Sequence, residues 1–510
     1  MQDKVNDYHK LRIFKKIKSL YSSNTFPYII IYFGILLRLF QYLYNRSLWL
    51  DEAKLALNIV NCSLKELLLK PPTMLQVAPF GFLLIEKIIV FLLGNSEYTL
   101  RLFPLLSGIL SLFLFHKLAK RFLGLKAIPI AVGLFAILPP LIYYSSELKQ
   151  YSSDVMITLL IYLIIFYILG VEKLTLWETF LFGTIGSILI WFSHPAIFVI
   201  TGLSAVLIFY HLKENKWLKI IKLSVAFLMW AISFVIFYYI CQKNITEIGK
   251  KILLHYWAGG FAPILPLKLH QIKWYVITFF KVFEDPVGIF LRGIAASFFI
   301  VGSISMFKEK RKLFFLLISP IFFTLLASGL CKYPFKGRII LFIVPMVVFI
   351  IAEGAEKIIT KTFNVYPPIT YTFLCLLFIF PFLQSSYHLI RPYTKEEIKP
   401  VMEYLKKFKQ NEDVLYIYYF TNFAFKYYSK KYGFDKMKYT VGVMSRQNLL
   451  KYIDDLNKLD GNKRVWVLFS HTFRNEKEFF LNYLDVIGKK LDSFKSVGAS
   501  IYLYDLSNEI

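Results

Sequence analysis

The residues of this chain best suited to chemistry are two adjacent acids, Asp51 and Glu52, in the stretch Ser47-Leu-Trp-Leu-Asp51-Glu52-Ala53. The pair lies just past the first long apolar run, with almost no other acid nearby. Two carboxylates where a spanning segment reaches water are costly to place without a use. A carboxylate beside an apolar surface has its charged form disfavoured, so it can act as a general base toward an acceptor hydroxyl or amine. The plainer reading is a solvated acid, or an N-cap for the Ala-Lys-Leu-Ala-Leu segment that follows.

Three further groups carry polar chemistry among apolar runs. In Tyr143-Tyr-Ser-Ser-Glu147-Leu-Lys149-Gln-Tyr151-Ser-Ser-Asp154, an acid and a base two residues apart sit between Tyr and Ser. Lys149 suits neutralisation of a sugar phosphate, and Glu147 suits holding a cation or an acceptor group; the alternative is an aromatic belt with a neutralising ion pair. His194, in Ser193-His194-Pro195, falls where two apolar runs meet, and His255, in His255-Tyr256-Trp257, falls in a long loop; each could equally be an ordinary interfacial histidine. In Lys332-Tyr-Pro-Phe-Lys336-Gly-Arg338, three cations precede an apolar run. Lipid headgroups or a pyrophosphate-like group would satisfy them, with Arg338 able to grip phosphate oxygens in pairs; snorkelling to ordinary headgroups is the plainer alternative.

The elements that must position these groups are membrane helices. Of 510 residues, 57% are hydrophobic and 18% aromatic, and the mean hydropathy is +0.54; these values mark a polytopic membrane protein and exclude a large soluble enzyme. The net charge of +27 sits largely in short basic clusters between apolar runs, the positive-inside pattern, so it orients helices and does not indicate nucleic acid. Residues 1–26 read as a basic cytoplasmic leader without a signal-peptide cleavage pattern. Runs of spanning length fall at about 27–44, 99–118, 127–144, 152–170, 177–193, 195–211, 218–240, 286–306, 313–331, 338–353 and 367–387. A shorter run, 80–94, is assigned by charge. If it crosses, the basic loops near 117–121, 211–216 and 308–312 face outside; if it lies in the outer interface, all three are cytoplasmic. The expectation is therefore eleven spans, with 45–98 one external segment bearing interfacial helices at about 54–70 and 80–94. The acid pair, Glu147, His194, the 241–285 loop and the 332–338 loop then share the outer face.

The transmembrane unit spans 27–389. From 390 to 510 the composition turns Lys-rich, and strand-type runs at 413–419, 464–469 and 499–504 alternate with helical segments at 394–409, 421–431 and 475–489, which predicts a small soluble α/β domain outside the membrane. Cys62, Cys241, Cys331 and Cys375 lack metal-ligand spacing and read as apolar fillers. No Gly-rich phosphate loop or zinc-type His pair appears, so a nucleotide donor on the cytoplasmic side has no support and a lipid-linked donor reachable from outside is expected.

These residues together resemble the GT-C class of membrane glycosyltransferases that use polyprenyl-phosphate sugars, the group of protein O-mannosyltransferases and the lipid A aminoarabinose transferase. The likeness covers about 25–355. It rests on Leu50-Asp51-Glu52-Ala53, on Gly94-Asn-Ser96-Glu97 with Leu100-Arg101-Leu102, on Tyr144 to Ser152, and on Tyr333 to Arg338. The chain departs from the pattern at Pro71-Pro72-Thr73 and Pro79-Phe80, where many members carry Pro-Pro-Leu-Tyr with a nearby His or Lys. The resemblance implies an inverting transfer at a bacterial inner membrane, from a polyprenyl-phosphate sugar to an extracytoplasmic glycan, lipid or protein acceptor. Asp51 is then the general base and Glu52 its helper, with Glu147, Lys149, Tyr151, His194, His255, Lys336 and Arg338 binding substrate. A divalent cation, Mg or Mn, assists some relatives, and Glu147 would be its ligand here. The rival readings are a transporter or flippase of lipid-linked sugars, which would place charges near the membrane midplane, and an assembly factor, which leaves the acids unexplained.

Overall fold

Every one of the expected apolar runs is helical in the computed structural model, which describes residues 25–69, 76–243, 247–362, 367–434, 437–446 and 448–507. Eight helices among these residues are long and apolar enough to cross a membrane: Phe26–Leu43, Glu97–Phe122, Tyr151–Gly170, Ala196–Lys213, Trp217–Ile240, Arg311–Gly329, Gly337–Lys361 and Thr372–Ile390. The other three runs are shorter or more charged. Residues 127–144 divide into Ala127–Ile137 and Pro139–Tyr144, Leu176–Phe192 has 17 residues, and Arg292–Glu309 carries charge at both ends. That last helix starts later than the sequence suggests because Pro286 and Gly288, the latter at φ +90, hold an irregular turn before it.

Helix Val344–Thr362, entered through the 3-10 turn Gly337–Ile343, is the innermost: 89% of the most apolar 18-residue window within Gly337–Lys361 is buried inside the protein. It crosses Arg292–Glu309 backbone to backbone. A Cβ on Gly302 would stand 1.9 Å from the Ile350 carbonyl oxygen, and one on Gly354 1.9 Å from that of Phe298. Only glycine at both positions allows this approach, the small-residue packing that joins helices in lipid, where no hydrophobic drive does so. The break at Pro139-Pro140 withholds two amide donors from the end of helix 127–137. Arg38 supplies donors in their place, to Phe135 O (3.4 Å), Ala136 O (3.1 Å) and Gly34 O (2.9 Å).

The bundle has two chemically distinct ends. At one, the basic loops meet: Lys310 Nζ lies 3.1 Å from Phe122 O and 2.7 Å from Glu353, and Lys312 lies over the Tyr210 ring. Helix Glu97–Phe122 runs from there, roughly 39 Å at 1.5 Å per residue, to the end that carries the acid pair and the C-terminal sheet. The interfacial helix expected at 54–70 is two helices, Leu50–Asn61 and Leu64–Leu69, so the acid pair lies in a first turn and does not precede it. The expected interfacial helix at 80–94 is Phe80–Leu93. The Pro71-Pro72-Thr73 departure lies outside the described residues.

The C-terminal sheet has five strands, β1 Val414–Ile417, β2 Thr440–Val441, β3 Val465–Ser470, β4 Lys489–Ser496 and β5 Ala499–Asp505, in the order β2-β1-β3-β5-β4. β2, β1 and β3 are parallel, with Tyr416 opposite Val467; β3 with β5 and β5 with β4 are antiparallel, with Val467 opposite Tyr502. β4 begins just after helix Glu476–Ile487, where the sequence reading runs a helix on to 489. Its Lys-Lys-Leu-Asp-Ser-Phe-Lys-Ser composition is that of an edge strand guarded by lysines, and it lacks the apolar run that marks the other long strands.

Candidate active site

Adjacent residues on a helix point about 100° apart, and on Leu50–Asn61 this gives the two acids different surroundings. Glu52 is 0% exposed and faces inward. Its oxygens accept from Arg101 Nε and Nη2, each at 2.8 Å, and from the Leu148 N–H at 2.8 Å; Arg46 Nη2 stands 3.9 Å away. Arg101 also donates to the carbonyls of Arg46 (2.7 Å) and Ser47 (3.2 Å). Burial pushes the Glu52 carboxyl up, but the Arg101 and Arg46 charges outweigh it and hold it at about 2. With both partners buried and bidentate, this is a locked ion pair joining the Asp-Glu helix to helix 97–122 and the 145–150 turn. The helix carrying Arg101 opens on Ser96, whose side chain accepts from the Thr99 N–H.

Asp51 faces the other way, with 18% of its side chain exposed. Its Oδ2 accepts from Arg338 Nη2 at 2.7 Å and its Oδ1 from Gln76 Nε2 at 3.3 Å. Gln76 in turn accepts from Lys149 Nζ. Burial raises the Asp51 carboxyl, and the charges of Lys149 and Arg338 reverse that and bring it down to about 2. Arg338 reaches the acid because Gly337, at φ +54, turns the chain into the 3-10 start of the innermost helix. Its guanidinium lies over the rings of Trp49 (5.2 Å) and Tyr151 (5.7 Å), contacts that hold a flat cation in place.

Glu147 and Lys149 are buried at this end as well, at 0% and 5% exposure. Burial lowers the Lys149 ammonium, with Asp51 acting against it. The ion partner of Glu147 is Lys395, at 3.2 Å, and that lysine also stands over the Trp49 ring at 3.8 Å and the Tyr143 ring at 4.8 Å. Lys395 comes from residues 391–397, which join the last membrane helix to the C-terminal domain. The same segment binds the chain leading into the Asp51 helix. Glu397 accepts from the Ser47 N–H (3.1 and 3.2 Å) and hydroxyl (2.9 Å), and Glu396 accepts from the Leu50 N–H (3.2 Å) and pairs with His471. Tyr428 accepts from the Leu48 N–H at 2.9 Å. The C-terminal domain therefore satisfies amides at the start of that helix that no helical carbonyl can reach.

The remaining sequence candidates lie apart. His194 is half-buried and packs against Phe237 (5.4 Å between rings), and desolvation pushes its imidazole down to about 4, so it is neutral; it makes no contact with the Asp51 group among the described residues. His255 is exposed on helix Glu247–Tyr256. Lys336 is half-buried, and its charge acts on Asp285. Among the described residues no group of three His, Cys, Asp or Glu could hold a metal ion. The donor set around Glu147, with Lys395 on one oxygen and Lys149 and Arg338 close by, is cationic and does not fit the expected divalent ion. A cavity of about 360 Å³ adjoins the group, with Tyr143, Tyr144, Asp285, Phe290, Tyr393 and Lys395 in its lining. Lys395, Trp49 and Gln76 are members that the sequence reading did not single out. Trp49 stands two residues before Asp51, in a motif already in view.

No family model matches the chain, and no curated protein matches it. Among solved structures it is similar to ArnT from Cupriavidus metallidurans in the apo state, at 10% identity and a TM-score of 0.55, over 94% of this chain and 98% of that one. The same protein bound to undecaprenyl phosphate gives 11% identity and a TM-score of 0.53 over the same shares. A likeness to an Archaeoglobus fulgidus oligosaccharyltransferase, at 9% identity and a TM-score of 0.48 over 95% of this chain and 74% of that one, is too slight to argue from. Identities this low speak for architecture. Over 94% of its length the chain has the fold of ArnT, a GT-C glycosyltransferase.

Proposed function

We propose that this protein is an inverting glycosyltransferase that moves a sugar from a polyprenyl-phosphate donor to an acceptor outside the cytoplasm. The observation that carries the reading is the solvent-reachable Asp51 carboxylate, paired with Arg338 at 2.7 Å and linked through Gln76 to Lys149. In the transfer, the acceptor oxygen or nitrogen attacks the anomeric carbon while Asp51 takes its proton. The bond from that carbon to the phosphate oxygen breaks, and the electron pair leaves on the lipid phosphate. Arg338 and Lys149 stabilise that developing charge, the electrostatic contribution that dominates many enzymes. Glu52 is a positioning residue in this scheme, fixing the helix from which Asp51 projects. ArnT, whose fold the chain shares, binds undecaprenyl phosphate, which supports a donor of that class.

The membrane arrangement belongs to the same proposal. Eleven spans put the basic loops of 117–121, 211–216 and 308–312 in the cytoplasm, and put the acid pair and the C-terminal domain outside a bacterial inner membrane. That the loops at 117–121 and 308–312 adjoin through Lys310 and Phe122 supports the count. The site charges gather at one end of the bundle, which favours transfer over transport through the midplane. The test is Asp51→Asn, expressed in cells lacking the native copy. Surface glycans and lipids should match those of the null cells at unchanged protein level. A wild-type profile would remove Asp51 as the base.

A further inference from the structure

We propose that Lys395, a residue of the segment joining the membrane bundle to the C-terminal domain, binds the phosphate of the polyprenyl carrier and exchanges Glu147 for it as the sugar leaves. The inference rests on the polyprenyl-phosphate reading above and adds a residue from outside the membrane unit to it.

Four observations converge on Lys395. First, it shares an aromatic wall with the Asp51 group. Its Nζ lies 3.8 Å from the centroid of the Trp49 ring, and the Arg338 guanidinium lies 5.2 Å from the same centroid. Both cations are therefore gathered on one indole, two residues from Asp51. Second, Trp49 is 7% exposed and its indole N–H meets no acceptor among the described residues. A buried donor of this kind beside two cations is matched by an anion. Third, Lys395 lines the 360 Å³ cavity, whose lining also includes Leu37, Phe40, Phe290 and Leu389. Apolar side chains with a cation among them suit a lipid whose headgroup is a phosphate. Glu284 and Asp285 line the cavity too, and like-charge repulsion leaves Lys395 as the favourable place for an anion there. Fourth, Lys395 is held in place by its neighbours. Glu396 binds the Leu50 N–H and Glu397 binds Ser47, so the lysine is anchored on both sides of Trp49.

Glu147 is the placeholder in this arrangement. Its contact with Lys395 is a single one of 3.2 Å with a quarter of the lysine side chain exposed. The phosphate monoester left when the sugar departs presents more charge and more acceptor oxygens to the same ammonium than either the donor's diester or the carboxylate, so it displaces Glu147. The flexible four-carbon stem of lysine makes that exchange without moving backbone.

The test measures undecaprenyl phosphate binding to the full-length protein in detergent by native mass spectrometry, with phosphatidylglycerol as a second lipid. Lys395→Met should bind undecaprenyl phosphate about tenfold more weakly, the size of one charge-assisted phosphate contact. Lys395→Arg should stay within about twofold of wild type. Phosphatidylglycerol binding should be the same in all three, because only a terminal phosphate carries the extra charge. Should Lys395→Met fail to fold with Glu147 left unpaired, the double variant Lys395→Met/Glu147→Gln removes both charges and should show the same tenfold loss. Wild-type affinity in Lys395→Met or in the double variant overturns the inference, and so does an equal loss for phosphatidylglycerol. Absence of undecaprenyl phosphate binding in the wild type itself overturns the polyprenyl-phosphate reading, a distinct result.

Discussion

The Glu52–Arg101 pair gives the sharpest test of how the acid pair is divided. Arg101→Met leaves a carboxylate at 0% exposure with the Leu148 N–H and a distant Arg46 as its remaining partners. Breaking a buried pair from one side costs about 3–5 kcal/mol, and those residual partners put this case near 3 kcal/mol, a fall of about 3 °C in melting midpoint for a chain of this length. Glu52→Gln leaves the buried Arg101 and Arg46 guanidiniums without a counter-charge, so it also costs about 3 kcal/mol, although the amide oxygen still accepts from Leu148 and Arg101 keeps the carbonyls of Arg46 and Ser47. The double variant Arg101→Met/Glu52→Gln removes both charges of the pair and leaves Arg46 on the Ser146 hydroxyl and the Tyr143 ring, so its loss should fall short of the sum of the two single variants, with a coupling on the order of 2 kcal/mol. Thermal unfolding of the four proteins in one detergent measures the cycle. The pH dependence has a definite sign. The folded Glu52 carboxyl, at about 2, lies below its unfolded value of about 4.3. Its contribution is therefore complete above about pH 4.5 and fades as pH falls toward 2. Strict additivity in the cycle, or an Arg101→Met protein as stable as wild type, would refute the buried pair and with it the positioning role of Glu52.

Three further outcomes follow from the same geometry. In a background with Cys331→Ser and Cys375→Ser, a cysteine at Leu125 should react with an impermeant maleimide only after the cells are opened, and one at Asn411 should react in intact cells; labelling of Leu125 from outside breaks the eleven-span count. Glu397→Ala removes the acceptor for Ser47, and hydrogen exchange across residues 45–50 should accelerate about tenfold, while the core strand β3 keeps its protection; unchanged exchange would show that the segment is fixed by other contacts. In pH profiles of the purified enzyme, Asp51 stays ionised in the donor-free form to about pH 2, so kcat/KM gains no acid limb from it above about pH 3. Once phosphate engages Arg338 and Lys149, burial dominates and the limb in kcat rises toward neutrality; coincident limbs would mean those cations never leave Asp51.

The parts of the site that the sequence discloses are those with a local signal. Asp51, Glu147, Lys149 and Arg338 are charges beside long apolar runs, an anomaly visible within a few residues, and the helices follow from run length. Pairing is another matter, because it joins distant positions: Arg338 and Asp51 stand 287 residues apart, and Lys395 and Glu147 248. Nothing in Arg391-Pro-Tyr-Thr-Lys395 distinguishes a site lysine from ordinary basic residues at the end of a span. The same limit explains Glu52, whose spacing beside Asp51 suggests a catalytic helper but whose side of the helix is fixed by Arg101. It explains His194 and His255 too: being on one face of a membrane does not bring side chains into contact.

A boundary drawn at residue 390 follows composition and cuts through the contacts that hold the Asp51 helix. The N–H groups of Ser47, Leu48 and Leu50 are bound by Glu397, Tyr428 and Glu396, so three amides at and just before the start of the Asp51 helix take their acceptors from beyond that boundary. Lys399 adds a bond to the Asn45 carbonyl, and Lys54, on the helix itself, lies over Phe423 at 4.9 Å. A helix of 12 residues is too short to hold itself in water, and this one is supported from below by Arg101 and from above by the C-terminal domain. The direction in which Asp51 projects is thus set jointly by two regions that the composition treats as separate, and a change in either one should reach the carboxylate without touching it.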